Sequence, residues 1–177
     1  AVNSINWVRI MGQIVYYFWS YFRVTHKFEP LSFVVPTGNF GNAYAGYMSK
    51  KMGLPINKII ISSNKNDILT RFFKTGRMEI KKTLTSLSPS MDIQVSSNFE
   101  RLLFDFYENG KVIKKLFYKL ENTKDFLVAE THLKKMRKTF GYGKLSDSET
   151  KKTISQIYNK YKLIIDPHTA VGISVGD

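Results

Sequence analysis

The sequence of 177 residues contains no cysteine, only five prolines and 11 glycines, and far fewer acidic than basic residues. Without cysteine the chain has no disulfide, no thiolate zinc site, no iron–sulfur cluster and no cysteine nucleophile. This composition agrees with a reducing compartment, and we expect a cytoplasmic protein. The modest number of prolines and glycines excludes collagen-like and low-complexity material.

Long apolar runs are also missing. The most apolar stretch covers residues 5–22, is interrupted by Arg9 and Gln13, and barely reaches the length that crosses a bilayer. We therefore expect no membrane helix, and no signal peptide is visible. The three histidines are too scattered for a local metal motif, so we expect no metal site.

The shortage of acidic residues leaves a large positive charge: 27 lysines and arginines stand against 14 aspartates and glutamates, a net charge of +13. Such a surplus is compatible with a basic nucleic-acid-binding module. However, the bases are mostly lysine rather than arginine, and arginine is preferred for specific nucleic-acid contacts. The largest share of the surplus, +7 of the +13, lies in residues 111–177, so we favour Lys-rich helices that face water and treat nucleic acid as the weaker alternative.

The first half of the chain has the pattern of an α/β protein. A short apolar run at 33–35 is followed by a Gly-rich loop at 36–42, a helical pattern at 43–52 and a second apolar run at 59–61. This order predicts a parallel βαβ unit. An apolar helix over residues 5–22, capped by Asn3 or Ser4, precedes this unit. Because the helix is apolar on nearly all sides, we expect it to be buried inside a larger protein.

The rest of the chain is less regular. We expect helices near residues 67–73 and 97–106, the second capped by Ser96 or Ser97. Residues 111–163 predict two or three Lys-rich surface helices, the last beginning with the cap Ser146-Asp147-Ser148-Glu149. A further strand is predicted at 163–165.

The loop at 36–42 is the strongest chemical feature, because a Gly-rich turn between a strand and a helix exposes backbone N–H groups at the positive end of the helix dipole. The spacing of Gly38, Gly41 and Gly46 fits neither a Walker loop nor a dinucleotide-binding fingerprint. On spacing alone, a phosphate site and a tight turn that binds nothing are about equally supported.

The residues of this loop are more informative than their spacing. Pro36-Thr37-Gly38-Asn39-Phe40-Gly41-Asn42 resembles the cofactor-phosphate loop of threonine synthase, a pyridoxal-phosphate enzyme of the tryptophan-synthase-like fold. Blocks at residues 4–10, 45–55, 64–72, 87–93, 97–102 and 166–172 resemble the same family in the same order. Chance does not produce such ordered agreement. The resemblance implies an α/β fold, the parallel-sheet large domain of a fold type II pyridoxal-phosphate enzyme in incomplete form.

The resemblance also implies a function. Threonine synthases convert O-phosphohomoserine and water to threonine and phosphate, with pyridoxal 5′-phosphate as the electron sink. By position, the cofactor phosphate would be held by Gly38, Asn39, Phe40, Gly41 and Asn42. A pocket for the phosphorylated amino-acid substrate would include Asn64, Asp67 and Arg71, although helix capping and a plain ion pair explain the last two equally well.

The same comparison implies that parts of an enzyme are missing. The lysine that forms the Schiff base in this family is expected upstream of residue 1, and the hydroxyl residue that contacts the cofactor ring nitrogen is expected after residue 177. We therefore expect residues 1–177 to be part of one α/β cofactor-binding domain, with 111–162 as a Lys-rich helical insertion or surface region. Its partners would be the missing N- and C-terminal segments, and the chain alone would be inactive. A degenerate, non-catalytic remnant is the alternative.

Overall fold

The computed structural model describes residues 6–177, which form eight α-helices and five β-strands. In chain order these are α1 (Trp7–Val24), β1 (Leu31–Pro36), α2 (Gly41–Lys51), β2 (Ile56–Ser63), α3 (Ile68–Thr75), β3 (Arg77–Glu79), α4 (Phe99–Tyr107), α5 (Gly110–Thr123), β4 (Asp125–Leu127), α6 (Glu130–Thr139), β5 (Phe140–Lys144), α7 (Asp147–Tyr161) and α8 (Pro167–Gly176). A single 3-10 turn, Pro89–Met91, lies between β3 and α4. Among these helices none is long and apolar enough to cross a membrane.

Three strands form a parallel sheet in the order β1-β2-β5. Val34 lies opposite Ile60 in the β1–β2 pair, and Ile60 lies opposite Gly141 in the β2–β5 pair. Helix α2 connects the parallel neighbours β1 and β2, so the predicted βαβ unit is confirmed. Parallel strands buried on both faces have continuous apolar sequences, as the Ile59-Ile60-Ile61 run of the central strand does.

Strand β5 was not expected from the sequence, because Gly141 and Gly143 weaken the strand pattern of Phe140–Lys144. The structure explains both glycines by close packing. A Cβ on Gly141 would lie 3.2 Å from Cγ1 of Ile60, and one on Gly143 would lie 2.5 Å from Cγ1 of Val175. The range predicted to be only helical therefore also contributes an edge strand to the sheet.

The strand predicted at residues 163–165 is wrong. This segment is an irregular connection between α7 and α8, and in it Leu163 is 57% and Ile164 82% exposed. An apolar run forms a strand only where a neighbouring strand accepts its backbone hydrogen bonds. No strand among residues 6–177 pairs with it.

Helix α1 matches the predicted helix, but only one side of it is covered. Its buried residues Ile10, Tyr17 and Tyr21 face the rest of the chain, where α1 packs against α2. The opposite side is exposed and includes Val8, Met11, Val15, Tyr16, Trp19 and Phe22. The cap of α1 is Asn6, whose side chain accepts from the Val8 N–H group, and the predicted caps Asn3 and Ser4 lie outside the described residues.

Helix termini elsewhere follow local sequence rules in part. Ser146 caps α7 as predicted, and Glu149 completes a capping box with it. Helix α4 instead begins after Asn98 rather than after Ser96 or Ser97. All lysines between residues 111 and 162 are exposed, in agreement with solvated helix faces.

The core contains a cluster of phenylalanines among aliphatic side chains. Phe40 contacts Phe99 edge to face at a centroid distance of 5.0 Å, and Phe99 contacts Phe72 at 4.7 Å. Phe73 and Phe140 extend the cluster to β5. Because Phe40 belongs to the Gly-rich loop, this cluster joins the loop directly to the core.

Candidate functional site

The Gly-rich loop connects the end of β1 to the start of α2. At its first residue, Thr37, the backbone N–H group donates to the Ser62 carbonyl at 2.9 Å, which holds the loop against β2. Phe40 adopts a left-handed conformation with φ of 63° and supplies no side-chain cap to α2. The first amides of a helix have no acceptor within the helix. Within residues 6–177 the N–H groups from Gly38 to Ala43 donate no hydrogen bond, so they are available to an anion.

The segment before α4 fixes the underside of this loop. The Ser96 hydroxyl donates to the Gly38 carbonyl at 3.0 Å. The backbone N–H group and the side-chain amide of Asn98 both donate to the Asn39 carbonyl, at 3.1 and 3.0 Å. These bonds direct the loop carbonyls toward the protein and leave the N–H side free.

Glycine is required at position 38 because the loop lies directly on another backbone segment. A Cβ at Gly38 would lie 2.5 Å from the carbonyl oxygen of Ser90, far inside van der Waals contact. The side chain of Phe40 is buried in the phenylalanine cluster. Only the main chain of Phe40 is therefore available to a ligand.

A cavity of about 160 Å³ opens in front of the loop. All five residues predicted to hold the cofactor phosphate line it: Gly38, Asn39, Phe40, Gly41 and Asn42. Three further polar residues line the same cavity and were not identified from the sequence: Arg9, Gln13 and Asn98. Arg9 and Gln13 are on α1, so only the tertiary fold brings them to the loop.

Helix α1 is anchored beside the loop by Tyr17. The Tyr17 hydroxyl lies 2.9 Å from the main-chain oxygen of Asn42 and 2.6 Å from its side-chain oxygen. Burial raises the pKa of Tyr17, so this hydroxyl stays protonated and donates to Asn42. The ring of Tyr17 also lies against Gly46, where a Cβ would lie 2.7 Å from the ring.

Asn64 follows the end of β2 and is almost fully buried. Its side-chain amide donates to the Ser88 hydroxyl at 2.9 Å and to the Asp92 carboxylate at 2.8 Å. Its side-chain oxygen accepts from the Asn66 N–H group at 2.8 Å. Asn64 does not line the loop cavity, but it orders the 86–92 segment on which Gly38 rests.

Asp67 and Arg71 form an ion pair that joins α3 to β5 and β3. One oxygen of Asp67 accepts from Nε of Arg71 at 2.9 Å and the other from Nζ of Lys144 at 2.7 Å. Arg71 also contacts the Glu79 carboxylate at 3.1 Å. Burial raises the pKa of Asp67, but the hydrogen bonds from Lys144 and Arg71 outweigh burial and lower the pKa below its ordinary value. The ion pair considered in the sequence analysis is therefore present, and neither residue lines the loop cavity.

The block at residues 166–172 begins α8. Asp166 caps this helix by accepting from the N–H groups of His168 and Thr169, at 2.8 and 3.2 Å. The Thr169 hydroxyl also donates to Asp166, which lowers the pKa of Asp166 to about 2. Gly172 of α8 packs on Pro36, immediately before the loop. Among the described residues no cluster of three histidine or acidic side chains could hold a metal ion.

Nearly the whole length of the chain is similar to known threonine synthases. The chain is 45% identical over 98% of its length to threonine synthase of Pseudomonas aeruginosa and likewise to threonine synthase of Saccharomyces cerevisiae. The solved structure of pyridoxal-phosphate-bound threonine synthase from Brucella melitensis covers 99% of the chain with a TM-score of 0.96 at 44% identity. The chain belongs to the threonine synthase family. No family model matches it.

The match concerns only part of the relatives. The chain spans 37% of the length of the Pseudomonas and Saccharomyces threonine synthases and 38% of the Brucella chain. Threonine synthase of Escherichia coli is more distant, with a TM-score of 0.74 at 27% identity. These structures confirm the predicted α/β fold class. The chain is also 38% identical over its whole length to the human protein called threonine synthase-like 1.

Proposed function

We propose that this chain is the part of a pyridoxal-phosphate-dependent threonine synthase that holds the cofactor phosphate. The observation that carries this proposal is the cavity at the start of α2, lined by the five predicted loop residues. The Brucella relative, a threonine synthase with pyridoxal phosphate bound, supports the choice of cofactor. The whole reaction would convert O-phosphohomoserine and water to threonine and phosphate.

The residues present fit a phosphate group. The N–H groups of Gly38 to Ala43 have no acceptor among the described residues, and the start of α2 adds partial positive charge. The close packing of Gly38 on Ser90 keeps this backbone in place before a ligand arrives. The cofactor, when bound, would supply an electron sink for substrate carbanions. The part of this chain is to bind and orient its phosphate.

We place the substrate pocket at the same edge of the sheet. The loop follows β1, Asn64 follows β2 and Lys144 ends β5, and the carboxyl ends of parallel strands meet at one edge. Asn64, Asp67 and Arg71 would shape this pocket rather than carry out chemistry, because their polar atoms already bond to neighbours.

Catalysis would require segments beyond this chain. The only lysine that precedes the loop is Lys27, an exposed residue after α1. By resemblance, the lysine that forms the Schiff base would come from a segment upstream of residue 1. We therefore propose that residues 1–177 alone do not turn over substrate. A non-catalytic remnant with the same fold is the competing proposal.

Joining the chain in frame to the N- and C-terminal segments of the Pseudomonas threonine synthase tests both proposals. We expect threonine and phosphate to be released from O-phosphohomoserine by the joined protein and not by residues 1–177 alone, with the intact Pseudomonas enzyme assayed in parallel. Turnover by residues 1–177 alone would contradict the upstream lysine. A joined protein that folds and binds the cofactor but releases no threonine would favour the remnant.

A further inference from the structure

We propose that α1 completes the phosphate site with two side chains, Arg9 and Gln13, which bind a phosphomonoester dianion opposite the backbone N–H groups of the loop. This inference rests on the proposed function, because it concerns the same cavity. The sequence predicts contacts to the cofactor phosphate from backbone N–H groups of the loop, and this site adds a charged side chain to them.

The positions of the two side chains support this assignment. Arg9 and Gln13 are four residues apart, so they lie on the same face of α1. Both line the cavity together with residues 36–42. A Cβ on Gly41 would lie 3.6 Å from Gln13 Oε1 and 3.4 Å from Asn98 Nδ2. The Gln13 side chain therefore reaches the first turn of α2, where the free amides are.

Gln13 has an unsatisfied polar group at this place. Its Oε1 atom is buried and has no hydrogen-bond partner. A buried polar atom without a partner is costly, and native structures avoid it unless a ligand or water completes the bonding. The two ends of a glutamine amide exchange by rotation. Turned by half a revolution, the Gln13 amide presents its N–H₂ donor to an anion in the cavity.

Arg9 differs from other arginines of the chain in its surroundings. Arg71, Arg77 and Arg137 form ion pairs with carboxylates, and Arg23 and Arg101 lie over the rings of Trp19 and Trp7. Within residues 6–177, the guanidinium of Arg9 makes no ion pair, hydrogen bond or ring contact. A phosphomonoester carries up to two negative charges, and backbone N–H groups supply no formal charge to balance them. The free guanidinium of Arg9 supplies this charge at the wall of the cavity.

The helix that carries the two side chains is fixed relative to the loop. Tyr17, one turn beyond Gln13, bonds to Asn42 and packs on Gly46. Asn6 caps the start of α1 just before Arg9. The helix positions that carry both side chains are thus fixed beside the loop before any ligand binds. A phosphate group of the cofactor and a phosphate group of the substrate have the same chemistry, so the experiment must distinguish them.

Isothermal titration calorimetry of the 177-residue chain and of the joined protein with pyridoxine 5′-phosphate tests the proposal. This probe has the cofactor phosphate but no aldehyde, so the 21 lysines do not react with it. We expect Arg9→Ala to weaken binding by about 10- to 100-fold, the range typical of a lost charge-assisted hydrogen bond, and Arg9→Lys to restore part of the affinity. We expect Gln13→Ala to weaken it less than Gln13→Glu, because a carboxylate would repel the phosphate.

The controls separate the possible outcomes. Arg23→Ala removes the same charge from the far end of α1 and is expected to leave affinity unchanged, and pyridoxine without phosphate is expected to bind weakly to every variant. Circular dichroism and thermal unfolding confirm that each variant is folded. If the unaltered proteins bind pyridoxine 5′-phosphate, and Arg9→Ala changes the affinity for this probe and for the phosphonate described below by less than twofold each, this inference fails while the proposed function stands.

Two further outcomes decide the source of the phosphate and the fate of both proposals. An aminoalkyl phosphonate that mimics the substrate is titrated in parallel. If Arg9→Ala weakens only the phosphonate, the side chains serve the substrate phosphate, and the assignment to the shared phosphate chemistry is upheld with that source. If neither unaltered protein binds either probe, the inference and the proposed phosphate site both fail.

Discussion

The sequence predicts that the loop is a turn, but the contacts in the structure decide which of its glycines tolerates a side chain. The glycines of residues 36–42 mark a turn in the sequence, but the sequence does not say which of them is required. In the structure Gly38 lies on the Ser90 carbonyl, whereas Gly12 on the exposed side of α1 has no atom within 4 Å of a Cβ. Two glycines of the same chain thus have opposite tolerance for a side chain.

Gly38→Ala is expected to displace the loop, because its Cβ would lie 2.5 Å from a backbone oxygen that cannot rotate away. Overpacking of this kind costs about 1–3 kcal/mol of stability, and we expect phosphate binding to fall by at least about tenfold, as for other lost contacts to a charged group. Urea unfolding and calorimetry measure the two effects. Gly12→Ala, the matched control, is expected to stabilise α1 by about 0.5–1 kcal/mol. Unchanged phosphate affinity in Gly38→Ala would contradict the described contact.

Elements were predictable where their patterns are local. The βαβ unit, the cap of α7 and the helices of the Lys-rich region follow from sequence, because periodicity and capping act within a few residues. Strand β5 was missed because glycines weaken a strand pattern. The need for glycine at positions 141 and 143 comes from packing against Ile60 and Val175, which are distant in sequence. Arg9 and Gln13 were missed as site residues for the same reason. The loop was found because glycine-rich turns are local signals and because its residues resemble a known family.

Helix α7 offers a direct test of the capping box. Ser146→Ala removes the side chain that accepts from the Glu149 N–H group and is expected to destabilise the chain by about 1 kcal/mol. Ser155→Ala, at an exposed interior position of the same helix, is expected to be neutral or slightly stabilising, because alanine is the better helix former. Urea unfolding compares the two. Equal effects would show that the capping bonds contribute nothing.

The ion cluster of α3 makes stability depend on pH. The pKa of Asp67 is lower in the folded chain than its ordinary value of 3.8. Its contribution to stability is therefore complete above the unfolded pKa and is lost as the pH falls through the folded pKa. We expect Asp67→Asn to lose stability at pH 6 and to show a shallower decline below about pH 4. Urea unfolding at several pH values measures this, with Glu121→Gln on exposed α5 as the control. If stability declines below about pH 4 as steeply in Asp67→Asn as in the unaltered chain, the Asp67 carboxylate does not cause this pH dependence.

At the scale of the whole molecule, the uncovered parts are as informative as the core. The exposed side of α1 and the extended residues Leu163 and Ile164 present apolar side chains to solvent. Contiguous exposed apolar surface marks a place where another chain segment packs. The sequence predicted both a buried α1 and a strand at 163–165. Neither expectation is met within residues 6–177.

The 177-residue chain on its own is therefore expected to self-associate. Val15→Glu places a charge in the exposed face of α1, where Val15 is 61% exposed, and should shift the chain toward the monomer. Tyr118→Glu, an equally exposed site on α5, is the matched control and should not. Light scattering after size-exclusion chromatography reports the mass. A monomeric, protease-resistant chain before any substitution would argue against a missing covering segment.

The position of the two tryptophans has an optical consequence. Trp7 and Trp19 are the whole tryptophan content of the chain, and both are on α1, at 39% and 63% exposure. All indole fluorescence therefore originates from this one helix. When a segment covers α1, the emission maximum moves to shorter wavelength as water leaves the rings, and iodide quenches less. The covering of α1 by a segment without tryptophan can thus be followed in real time without an attached dye.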